Sequence, residues 1–216
     1  MNRQIWAEGI GTALLLIGVV GSGIMGEALA AGNTAVALLA NAIATGCMLF
    51  VIITVQGPIS GAHFNPAVTL AFRLRGQITT GMALAYVAAQ VAGGLIGVWL
   101  THLMFDLPIL QVSQTMHRSG IGQWSSEIIA TLGLLFVIFG GLKARADQVP
   151  VLVAIYITGA YWFTSSTSFA NPAVTVARSF SDTFAGIWPG HAPMFIAMQL
   201  IAVGLAAPLL PRLLEE

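Results

Sequence analysis

Few residues in this chain of 216 are equipped for chemistry. Glu8 and Glu127 sit in otherwise apolar runs, where a carboxylate either relays protons or accepts hydrogen bonds from buried groups. Each is followed four residues on by a threonine, Thr12 and Thr131, one helical turn away. That matched placement favours a structural role, with both carboxylates anchoring nearby loops. His63, His102, His117 and His191 lack metal-ligand spacing and Cys47 is the sole cysteine, so no metal site, cofactor or internal disulfide is indicated. No nucleophile lies beside a base, which speaks against an enzyme. What stands out instead is a duplicated pentapeptide: Asn65-Pro66-Ala67-Val68-Thr69 and Asn171-Pro172-Ala173-Val174-Thr175, one copy in each half. Its two asparagines are amides able both to donate and to accept hydrogen bonds.

An Asn-Pro pair starts helices well, because Asn caps the first turn and Pro lacks only an N–H that would be orphaned anyway. Each copy should open a short helix, Pro66 to about Arg73 and Pro172 to about Ser179, too short to cross a bilayer. Irregular backbone next to such a segment cannot face lipid, so both breaks must line a cavity.

The elements that would hold them are read from composition. Hydrophobic residues make up 57%, charged residues 7% and mean hydropathy is +0.88, far from the roughly 25% charge of soluble domains. Six apolar stretches are long enough to cross about 30 Å of hydrocarbon: Ile5 to Met25, Thr34 to Val55, Thr80 to His102, Trp124 to Leu142, Val149 to Phe169 and Ala192 to Leu210. The first of these, after Arg3 and before Ala28-Leu29-Ala30, also looks like a cleavable signal. Its counterpart in the second half favours a permanent span. The repeat extends to Gln90 and Gln199, followed by Gly93-x3-Gly97 and Ala202-x3-Ala206 stripes suited to helix contacts. With three spans per half, the second copy must be inserted upside down. The predicted fold is therefore an all-α membrane protein with six transmembrane helices plus two re-entrant half-helices in an inverted repeat. It forms a single domain over residues 1–216, with repeat one about 1–105 and repeat two about 120–216. Basic residues fall unevenly: Arg3, Arg73, Arg75, Lys143, Arg145 and Arg212 on one side, Arg118 and Arg178 on the other. By the positive-inside rule both termini are cytoplasmic. Zero net charge gives no sign of a nucleic-acid partner.

Together with these spans, the run Ser60-Gly61-Ala62-His63-Phe64-Asn65-Pro66-Ala67-Val68-Thr69 resembles the aquaporin family of water and small-solute channels. The resemblance implies a passive pore in which Asn65, Pro66, Ala67, Asn171, Pro172 and Ala173 form paired NPA motifs at mid-membrane. There, helix dipoles repel cations and the two amides orient passing solutes. It implies a homotetramer in lipid, with one pore per subunit. In most of the family an Arg follows the second NPA; here Val174 does. Carried over by spacing, the remaining selectivity-filter positions are Thr45, Gly159 and Ser168, so the constriction is expected to be wide, weakly polar and uncharged. Thr175 stands where glycerol-type relatives carry Asp. The stretch around Val174 resembles a bacterial branch associated with arsenic resistance. That resemblance implies an inner (plasma) membrane location and passage of water, glycerol-type solutes and uncharged metalloid acids such as arsenite.

Arg178 lies one turn beyond Val174. Either it pairs with Asp182 at i+4, the reading its neighbour favours, or its side chain leans back over the filter as a mouth contact. In the second case the pore is water-selective. His63, beside the first box, is expected to pack under the cytoplasmic mouth rather than act as a gate. An ion-coupled transporter also uses inverted repeats with broken helices, yet no acidic residue adjoins either box.

Overall fold

The computed structural model describes residues 3–214, all helix, turn or loop. Asn33 caps a long apolar run, its side-chain oxygen accepting from the amides of Ala35 (3.1 Å) and Val36 (3.2 Å). The helices, in order, are α1 (Arg3–Leu29), α2 (Thr34–Ser60), α3 (Pro66–Leu74), α4 (Thr80–Met104), α5 (Ile121–Ala144), α6 (Val149–Phe163), α7 (Pro172–Arg178) and α8 (Ala192–Leu214). A 3-10 turn, Ala146–Gln148, leads into α6. Gly61 closes α2 at φ 87°, a left-handed conformation that suits glycine.

Two halves with the same plan make the bundle. In the first, α1 packs against α2 and α4; in the second, α5 packs against α6 and α8, and α2 meets α6 across the junction. Both half-helices, α3 and α7, are wedged against α4 and α8. The Gly93 and Gly97 stripe of α4 lies against the backbone of α1, because a methyl group at either would collide with the carbonyl of Gly9 or Ala13. Gly11 likewise leaves room for the ring of Phe64.

Among the described residues five helices, α1, α2, α4, α5 and α8, are long and apolar enough to cross a membrane. The span expected from Val149 to Phe169 is shorter than that. Helix α6 ends at Phe163 after 15 residues, a rise of about 22 Å. The cause is the run Thr164-Ser165-Ser166-Thr167-Ser168, whose hydroxyls offer the backbone other partners. Thr164 is extended, and Thr167 and Ser168 take φ of 62° and 51°. The irregular segment 164–170 then leads directly into α7.

Candidate functional site

Before each half-helix the backbone is forced into left-handed conformations at matching positions: Ala62 (φ 51°) and Phe64 (φ 49°) before Asn65, Ser168 (φ 51°) and Ala170 (φ 46°) before Asn171. Such conformations cost on the order of 1–3 kcal/mol each in non-glycine residues and need support from their surroundings. That support comes from two fully buried carboxylates. Glu8 accepts from Ser60 Oγ (2.6 Å), the amides of His63 (2.9 Å) and Phe64 (2.7 Å), and Gln90 Nε2 (2.7 Å). Glu127 accepts from Ser166 Oγ (2.6 Å), the amides of Phe169 (2.9 Å) and Ala170 (2.8 Å), and Gln199 Nε2 (2.6 Å). The same glutamines also donate to Thr69 and Thr175 on the half-helices, at 3.0 Å each. Each irregular loop is thereby tied both to its long helices and to the short helix it feeds.

The two asparagines sit where the half-helices meet end to end. Asn65 Oδ1 accepts from the amide of Ala67 (2.9 Å); Asn171 Oδ1 accepts from the amides of Ala173 (3.0 Å) and Val174 (3.3 Å). Their Nδ2 groups cross over: Asn65 donates to the Ala170 carbonyl (2.7 Å) and Asn171 to the Phe64 carbonyl (2.8 Å). Capping therefore occupies the oxygen, and the crossed bond occupies one amide hydrogen. The second hydrogen on each nitrogen is left for the cavity that both residues line.

That cavity, of about 190 Å³, runs past both asparagines. Its walls are mostly aliphatic, from Leu15, Leu49, Leu134 and Ile138 among others, with His63 and Phe72 toward one end and Val174 and Arg178 toward the other. His63 is held by Thr69 Oγ1 at 3.1 Å and packs on the ring of Phe72. Thr45, Ser168 and Val174 all border the cavity. Gly159 does not. It lies exposed on the outer side of α6, and a methyl group added there would meet only Phe163. The inward stripe of α6 is Val153, Ile157 and Tyr161, spaced four apart as a helix face requires. Following that period from the apolar start of α6 leads to Tyr161, which spacing from the NPA box misses. Tyr161 is 3% exposed, and its hydroxyl lies 3.2 Å from Thr45 Oγ1. A ring thus fills the place where glycine was expected to leave room.

The Arg178–Asp182 pair is also corrected. Helix α7 ends at Arg178, so no continuing turn brings Asp182 beneath it. Asp182 instead accepts from the amides of Gln114 and Thr115 and from Thr115 Oγ1, at 2.9, 2.9 and 2.8 Å. Arg178 is 2% exposed, donates through Nε to the Ala185 carbonyl and stacks on Phe169, with Cζ 3.5 Å from the ring centroid. Arg118, from the loop before α5, approaches the same ring at 5.2 Å while donating to the carbonyls of Gly186 (2.8 Å) and Phe184 (3.3 Å). The end of the cavity expected to be uncharged therefore has a guanidinium in its wall. Only the fold could bring Arg118 to Phe169 and Arg178, since it comes from the connection before α5.

Helices of membrane-crossing length, two half-helices abutting at a pair of amides, and a cavity threading that junction define a multi-pass membrane channel. The chain belongs to the major intrinsic protein family, whose model matches residues 1–165. It is 53% identical over 215 residues to aquaglyceroporin AqpS of Rhizobium meliloti (strain 1021), covering all of this chain and 91% of that protein. It is 30% identical to aquaporin Z of Bradyrhizobium diazoefficiens, over 86% of this chain and 82% of that one. Its fold is similar to the X-ray structure of the aquaglyceroporin from Plasmodium falciparum, with a TM-score of 0.70 at 19% identity over 99% and 98% of the two chains. The protein is accordingly a channel for small neutral solutes and not an enzyme.

Proposed function

We propose that this channel passes water, glycerol-type polyols and uncharged metalloid acids such as arsenite, passively and in the direction of their gradients. The observation that carries this reading is Val174: the first turn of the second half-helix presents an apolar side chain to a cavity whose walls are mainly aliphatic. Neutral triols with apolar edges suit such a wall better than ions do. The 53% identical relative bears the name aquaglyceroporin, which supports the polyol part. We place the protein as a homotetramer in a bacterial inner membrane with both termini cytoplasmic. The uneven distribution of basic residues supports the orientation, and the bacterial source of that relative supports the location.

Stopped-flow light scattering on proteoliposomes tests the solutes: reswelling in glycerol and arsenite gradients above empty liposomes is the expected result. Val174→Arg should cut glycerol and arsenite flux on the order of tenfold while water flux falls by no more than about twofold, because a long charged side chain narrows the opening. Equal loss of all three in a folded variant would count against the assignment of Val174. A second reading, a water-selective pore completed by Arg178, is favoured by the position of that guanidinium in the cavity wall. Fast shrinkage with no reswelling would select it.

A further inference from the structure

The nitrogen atoms of Arg178 are mostly unspent. Its Nε donates to the Ala185 carbonyl, and no other hydrogen bond from this side chain occurs among the described residues. The two Nη groups, with four N–H donors, therefore have no protein acceptor, although the residue is 2% exposed. No carboxylate contacts it among the described residues: Asp182 is committed to Gln114 and Thr115, and Glu127, whose charge acts on Arg178 from further off, spends its oxygens on four other donors. Burying a charge without a partner is costly unless water or solute solvates it, and Arg178 lines the cavity.

Helical side chains lean toward the helix N-terminus, so the Arg178 guanidinium is carried back toward the level of Val174, one turn earlier. Stacking on Phe169 and the Nε bond fix its plane, while Arg118 on the same ring adds positive charge without entering the cavity.

We infer that Arg178 is a specificity-determining residue of this pore, a fixed cation that excludes cations and protons and offers hydrogen bonds to the oxygens of passing solutes. It does so from the end of the half-helix, where Val174 supplies only an apolar surface. The inference rests on the channel itself and is independent of whether metalloid acids are carried.

The test compares wild type, Arg178→Lys, Arg178→Gln and Arg178→Leu in proteoliposomes clamped with a potassium gradient and valinomycin. Proton leak is read from an internal pH dye, sodium leak by isotope uptake, and water flux by light scattering on the same vesicles. The expected result is at least about a tenfold rise in cation and proton leak for both neutral variants, with Arg178→Lys remaining tight. Arg178→Gln retains a side-chain N–H for the Ala185 carbonyl, so its leak separates charge from loop support. Leak at the wild-type level in both neutral variants overturns the assignment, as does an equal rise in the lysine variant. Aggregation of both neutral variants on size exclusion beside a monodisperse lysine variant also overturns it, since the cation would then be a strut. Failure of wild type to pass arsenite would sink the metalloid reading and leave this comparison intact.

Discussion

Glu8 and Glu127 each gather four donors, and their duplication lets one serve as a control for the other. Glu127→Gln replaces one acceptor oxygen with an NH2 group that must face existing donors. We expect a loss of about 2–4 kcal/mol, the scale of breaking a buried charged hydrogen-bond network. In detergent this should appear as a melting temperature lower by roughly 5–10 °C, followed by size-exclusion of heated samples. An unchanged melting temperature would mean that the left-handed backbone at Ser168 and Ala170 holds its shape without the carboxylate. The sequence made the two glutamates visible as a pair because repetition is legible without coordinates. Their partners were less so, since a carboxylate's donors arrive from loops dozens of residues away. The same limit explains Arg178: an i+4 pair can be read only where the helix continues, and α7 stops at that residue.

At the level of helices, two glycines on corresponding helices, Gly93 of α4 and Gly204 of α8, differ in what they carry. Gly93 lies directly against the carbonyl of Gly9, whereas Gly204 on α8 has open space where a methyl group would go. Gly93→Ala should therefore push α1 from α4 and cost about 2 kcal/mol or more by overpacking, while Gly204→Ala should be neutral or stabilise by a few tenths of a kcal/mol. Thermal unfolding of the two variants side by side checks this; equal melting temperatures would show that the helices separate without penalty. Helix starts at Asn65 and Asn171 were readable because capping is local chemistry between a side chain and amides two or three residues on. The end of α6 was not, because it depends on where a serine-threonine run leaves the helix. Transferring positions by counting back from Asn171 carries that error along and gives Gly159, whereas the four-residue period of α6 itself leads to Tyr161.

Across the whole molecule, the connections at the Arg178 end are joined to each other rather than left loose. Ser113 donates its amide to the Ser179 carbonyl (2.9 Å), Trp188 to that of Met116 (2.8 Å), and Asp182 binds the amides of Gln114 and Thr115. The Thr115 amide, with that of Gln114, holds the Asp182 carboxyl below its ordinary value of 3.8. A depressed carboxylate pKa stabilises the folded form above the ordinary value and loses that effect as pH falls through the lower folded one. Limited proteolysis of the 105–120 connection should therefore be slow at neutral pH and accelerate below about pH 4. Asp182→Asn should raise cleavage several-fold at neutral pH and flatten that dependence; identical profiles would show that the linkage does not secure the loop. The crossed amides of Asn65 and Asn171 bear on the order of assembly. When the first half leaves the ribosome, the carbonyl of Phe64 has no donor and the Nδ2 of Asn65 no acceptor until residues 170 and 171 have been made and brought alongside. The first loop must wait, hydrated and unfinished, for its counterpart. The two copies of the repeat thus complete each other's folding at a single late step, and a defect in either leaves both unsealed.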